Sequence, residues 1–135
     1  MKKKRVFVTG GAKGIGRAIV RKFYEAGYRV AFCDADRKAG EELVYSSGTD
    51  LLFFPLDVKN EQALSAVLAE LFEQWGDLDI LVNNVGIGNF TPLTETTVQQ
   101  FDEILATNLR PVFITSRALA IRRNTPEGKN NMDGS

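Results

Sequence analysis

Apolar and polar positions along the chain switch repeatedly between two periods. Val6-Phe7-Val8 is a continuous apolar run, as expected of a strand buried on both faces. From Ile15 the spacing turns helical through Ala18, Ile19, Phe23 and Ala26, and Gly27 stops it. "YRVAFCD", Tyr28 to Asp34, reads as a second strand. Asp36 can cap a helix running to about Tyr45, which "SSG" closes. "LLFFP", Leu51 to Pro55, is a third strand. Leu64, Val67, Leu68, Leu71, Phe72 and Trp75 then mark one face of a helix ending before Gly76. "DILVNN", Asp79 to Asn84, is a fourth strand, and Gly86, Gly88 and Pro92 mark a loop. Val98, Phe101, Ile104 and Leu105 predict another helix. Pro111 suits the first turn of a last one carrying Val112, Phe113, Leu119 and Ala120. After Arg123 the pattern fails. The sequence predicts one domain over 1–123 and a loose, flexible polar tail over 124–135.

Strand and helix alternate four times. Parallel strands need such crossovers, so the economical fold is an α/β one, an open parallel sheet with helices on both faces.

Composition narrows the chemistry. Of 135 residues, 44% are apolar and 25% charged, enough for one packed core. The 17 basic and 17 acidic residues cancel, so no nucleic-acid partner and no anionic membrane surface are expected. The "KKKR" cluster, Lys2 to Arg5, reads as a solvated N-terminus. Cys33 is the single cysteine and there is no histidine. Zinc sites of Cys and His, and triads needing His, are therefore excluded, and no metal is expected. An unpaired thiol suits a reducing, cytoplasmic location. No apolar run approaches the ~20 residues that span a bilayer, and no signal peptide is read.

The candidate chemistry begins at "VTGGAKGIG". Thr9 stands ahead of Gly10, Gly14 and Gly16, between a strand and a helix. Gly10 and Gly14 permit a tight turn and close approach of a phosphate, and Gly16 lets the helix pack near the strand. The helix N-terminus then offers free N–H groups to a pyrophosphate. The spacing is T-G-x-x-x-G-x-G rather than G-x-G-x-x-G, and no G-K-[ST] follows, so this is not an ATPase-type loop. Asp34 ends the second strand, where a carboxylate can accept from the ribose hydroxyls of NAD and repel the extra phosphate of NADP. Its alternative is a helix cap or turn carboxylate. Lys13 and Arg37 pull the other way, because either could reach a 2′-phosphate. NAD is favoured over NADP.

With these residues in order, the chain resembles the short-chain dehydrogenase/reductase family over roughly residues 4 to 123. The resemblance rests on Thr9-Gly10-x-x-x-Gly14-x-Gly16, then Asp57-Val58, then Asn83-Asn84-Val85-Gly86, then Asn108. The family's usual NNAG stands here as NNVG, which implies a slightly tighter cofactor wall at Val85. The resemblance implies a Rossmann-like doubly wound sheet, here with strand order 3-2-1-4. It implies that Gly10, Gly14, Ile15 and Gly16 line the pyrophosphate, that Asp34 takes the adenosine ribose, and that Asp57 and Val58 meet adenine. Asn83, Val85 and Gly86 would follow the nicotinamide ribose, and Asn108 matches the catalytic Asn that holds a water in the proton relay. Other roles stay open. Asp57 could cap the next helix, Asn83 and Asn84 could satisfy backbone groups, and Asn108 could be a turn residue.

The family moves hydride between a nicotinamide and an alcohol or carbonyl substrate, with a Ser and a Tyr-x-x-x-Lys pair handling the proton. That pair is absent: Tyr24, Tyr28 and Tyr45 are followed four residues later by Tyr28, Phe32 and Thr49. The expectation is the cofactor-binding half of an oxidoreductase, without turnover on its own. The alternative is a non-catalytic dinucleotide-binding module or partner subunit. With strands beyond the fourth missing, the last helix or the strand 4 edge is expected to mediate self-association.

Overall fold

The computed structural model describes residues 3–48, 50–88 and 90–133. Four strands, β1 (Arg5–Thr9), β2 (Arg29–Asp34), β3 (Leu51–Pro55) and β4 (Ile80–Asn83), form one parallel sheet in the order β3-β2-β1-β4. Helices α1 (Gly14–Glu25), α2 (Arg37–Ser47) and α3 (Glu61–Trp75) are the crossovers. A one-turn 3-10 segment, Leu93–Glu95, precedes α4 (Val98–Asn108) and α5 (Arg110–Arg123). The predicted α/β fold and strand order are both observed.

The central strands read as unbroken apolar runs because both faces are covered. Phe7, Ala31 and Cys33 point into one core with Leu64, Val67, Leu68, Leu71 and Trp75 of α3, against which Ile114, Ala118 and Leu119 of α5 pack. Val6, Val8, Val30 and Phe32 point into the other, with Val20 of α1 and Leu43 of α2. Successive strand residues alternate between the two cores, as the two-residue period requires. Leu64 and Leu71 are fully buried. Truncating either to Ala leaves a cavity and costs ~2–5 kcal/mol.

The N-terminal end of the sheet is closed by Arg5. Its Nε and its backbone N–H both donate to Asp79 Oδ2, at 3.0 and 2.8 Å, and Nη1 donates to the Trp75 carbonyl at 2.6 Å. This corrects the reading of "KKKR" as wholly solvated: Arg5 is buried, because the Asp79 carboxylate and the Trp75 carbonyl replace its water. Lys3 does remain exposed, pairing with Asp50 at 3.2 Å, and Lys2 lies outside the described residues.

The C-terminal segment carries one further element. Residues Pro126–Asp133 form a further helix, α6, where a loose segment was expected. Pro126 fixes the first helical φ and Glu127 puts an anion in the first turn. With no apolar stripe, periodicity could not reveal it. Residues 134 and 135 of the expected tail lie outside the described residues.

Candidate functional site

All four strands end on the same side, and a cleft of about 390 Å³ opens there. Its wall brings together Gly10 and Lys13 after β1, Asp34 at the end of β2, and Asp57 and Val58 after β3. Val85 and Gly86, after β4, complete the set. These seven candidates, spread over 77 residues of sequence, meet because parallel strands deliver all their C-terminal loops to one edge.

The glycine loop is held by β2. Gly10 and Gly11 N–H both donate to the Cys33 carbonyl, at 2.8 and 3.1 Å. Asp34 ties it again: Oδ2 accepts from Ala12 N–H at 3.0 Å, and Oδ1 accepts from Asp36 N–H at 2.9 Å. Each carboxylate oxygen keeps a further lone pair for a ligand. Gly14 sits at φ +57°, a left-handed conformation that disfavours other residues, and a Cβ there would meet nothing within 4 Å. Gly16 is the opposite case. A Cβ would collide with the Gly10 carbonyl, so the glycine allows α1 to pack against the loop.

Helix N-termini separate by how they are capped. Asp36, Asn60 and Thr97 side chains cap α2, α3 and α4 by accepting from Ala39, Ala63 and Gln100 N–H. Helix α1, like α5, begins with no side-chain cap, after Lys13. Its first-turn N–H groups are left for an anion, beside a glycine with open space where a Cβ would be. These features fit a dinucleotide: an uncapped helix end for the pyrophosphate, and carboxylates at Asp34 and Asp57 for ribose and base.

Several candidates are not on the cleft wall. Thr9 is buried, and its Oγ1 accepts from Asn84 N–H at 3.0 Å, which fastens the end of β1 to that of β4. Asn83 accepts from the Thr115 hydroxyl at 2.8 Å, docking β4 on α5. Ile15 is exposed in the first turn of α1. Asn108 ends α4, and its amide pairs with both backbone groups of Ile87. Oδ1 accepts from Ile87 N–H at 2.7 Å, and Nδ2 donates to Ile87 O at 2.8 Å. Asp57 does not cap α3, a task Asn60 performs. Its Oδ1 accepts from Lys59 N–H at 2.9 Å, in a local turn.

Further wall residues are given no cofactor role from the sequence. Asn84 donates from Nδ2 to the Gly10 carbonyl at 3.0 Å and lines the cleft. Lys59 pairs with Glu103 of α4 at 2.7 Å, and both line it too. Glu103 is the main cause holding the Lys59 ammonium above its ordinary pKa, with Asp57 adding to it. Lys13 is likewise raised by Asp36, 2.9 Å away. Asp36 is lowered, first by the Ala39 N–H it accepts and then by Lys13. Burial pushes the Cys33 thiol up to about 12, so it offers no nucleophile. None of the three tyrosines lines the cleft.

Comparison with known proteins gives this geometry its family. A family model described as short chain dehydrogenase matches residues 4–128. The L-fucose dehydrogenase of Mus musculus is 44% identical over 108 residues, covering 78% of this chain and 39% of that one. Among solved structures, 3-ketoacyl-(acyl-carrier-protein) reductase from Brucella melitensis complexed with NADH superposes with a TM-score of 0.85 at 27% identity. That match covers 97% of this chain and 53% of the other. ElxO with NADP bound gives 0.82 at 28% identity, covering 90% and 51%. The chain spans less than half the length of the curated relatives it matches. The matched residues span all four strands, the glycine loop and the NNVG strand end, and the chain belongs to the short chain dehydrogenase family.

Proposed function

We propose that the cleft binds a nicotinamide dinucleotide, NAD in preference to NADP, and that the chain is the cofactor-binding half of an oxidoreductase acting on an alcohol or carbonyl substrate. The observation that carries this reading is the meeting of Gly10 and Lys13 of the glycine loop with Asp34 and Asp57 in one cleft, next to the uncapped α1 terminus that follows Lys13. When bound, the cofactor supplies hydride transfer. The chain's own residues bind and orient. Gly14 and the first turn of α1 take the pyrophosphate, Asp34 accepts from the adenosine ribose, and Asp57 and Val58 meet the base. Val85 and Gly86 form the wall toward the nicotinamide ribose. Asn108 acts by fixing Ile87 and the loop after β4, beside any part it has in holding a water. The preference for NAD rests on Asp34, whose carboxylate disfavours a 2′-phosphate.

No tyrosine on the cleft wall can serve the proton step, which supports the reading that these residues alone bind without turnover. The exposed apolar positions Val98, Phe101 and Leu105 of α4, Leu109 between the helices and Phe113 of α5 support self-association through this pair of helices. The β4 edge offers a second route. The reading places the protein in the cytoplasm, where the lone thiol stays reduced.

Titration of the purified chain with NADH, followed by nicotinamide fluorescence, tests the reading. Saturable binding that ADP-ribose competes away is expected, and absence of saturation sinks it. Because Asp34 also holds Ala12 and Asp36 N–H, Asp34→Ala will loosen the loop as well as lose the ribose contact. It therefore should weaken both cofactors, NADH more than NADPH, so that the preference for NADH narrows.

A further inference from the structure

Lys13 is a cation on the cleft wall, within the glycine loop, and by charge alone it should welcome a 2′-phosphate. Its partner is Asp36, whose Oδ2 lies 2.9 Å from the ammonium. The other oxygen of the same carboxylate, Oδ1, accepts from Ala39 N–H at 3.0 Å and so caps α2. The carboxylate is thus anchored by a helix terminus before it meets the lysine, and Asp36 N–H is itself held by Asp34 at 2.9 Å. The next cation, Arg37, is paired with Glu41 one turn along α2 at 3.6 Å. Lys13 and Arg37 therefore each already have an acidic partner.

We propose that Asp36 is a positioning residue for cofactor choice: anchored as the α2 cap, it engages Lys13 and denies NADP the counter-ion that the glycine loop would otherwise present. This rests on the proposed dinucleotide site. It assigns the preference to two carboxylates, Asp34 at the ribose and Asp36 acting through Lys13. It also explains how a loop carrying a lysine can belong to an NAD-preferring chain.

The test uses Asp36→Asn, which keeps an oxygen for Ala39 N–H and removes the charge, with Asp36→Ser as a second capping variant. NADH and NADPH affinities are measured by fluorescence titration of the full chain, and thermal unfolding reports the fold. In both variants the NADPH-to-NADH affinity ratio should rise about tenfold, the scale of one charge-assisted contact. The rise should vanish in Asp36→Asn/Lys13→Met. A merely structural role for Asp36 would weaken both cofactors and leave the ratio alone. An unchanged ratio in folded variants, or a gain that survives without Lys13, overturns the proposal while leaving the dinucleotide site standing. Failure of every protein to bind either cofactor overturns both.

Discussion

The side-chain amide of Asn108 is matched to the backbone of Ile87, accepting its N–H at 2.7 Å and donating to its carbonyl at 2.8 Å. One residue at the end of α4 therefore holds the loop after β4 as a neighbouring strand would. Asn108→Ala should release that loop. Both bonds are solvent-exposed, so global stability should fall by only about 1 kcal/mol. NADH affinity should fall several-fold as the Gly86 wall loosens. Titration and thermal unfolding together check this, and an unaltered affinity would separate Asn108 from the cofactor site.

Gly14 and Gly16 should fail in different ways. Gly14→Val puts a side chain into open space beside the α1 terminus at a cost of ~1–2 kcal/mol for the left-handed backbone. The chain should stay folded and lose at least roughly tenfold in NADH affinity by calorimetry. Gly16→Val drives into the Gly10 carbonyl, and its loss should appear first in the unfolding temperature.

Much of this was legible in the sequence, and the reason is physical. Val8, Phe32 and Val82 lie side by side in the register of β2, β1 and β4, and a strand buried on both faces must be apolar throughout. The glycine loop was legible because backbone approach requires missing side chains. Polar partnerships were not. Lys13 with Asp36, Lys59 with Glu103 and Asn108 with Ile87 depend on which loops the sheet brings together. Thr9 illustrates the same limit. Its place ahead of Gly10 suggested the cofactor, while its hydroxyl turns to the end of β4. Helix α6 carries no apolar stripe, so only its Pro126 start hinted at it.

Acid should loosen the closed end of the sheet. Burial tends to raise the Asp79 pKa, but the bonds from Arg5 outweigh it and hold the carboxyl below its ordinary value. A depressed carboxylate adds stability above its unfolded pKa of about 3.9, and that stability is lost as pH falls through the lower folded value. Asp79→Asn should cost about 1–3 kcal/mol at pH 7. It should also flatten the decline below about pH 4, read from urea midpoints across pH.

Phe113→Glu should shift the chain toward monomer in sedimentation velocity. The substitution places a charge in the exposed apolar row shared with Leu105 and Leu109. Association that persists undiminished would point to the β4 edge.

The Cys33 carbonyl grips the glycine loop while its thiol is sealed in the α3 core. The chain thereby carries a built-in chemical clock. A thiol reagent cannot reach Cys33 until β2 parts from its helices, so the labelling rate counts openings of the sheet. Since that strand also holds Gly10 and Gly11, a bound dinucleotide should slow the clock without touching the sulfur.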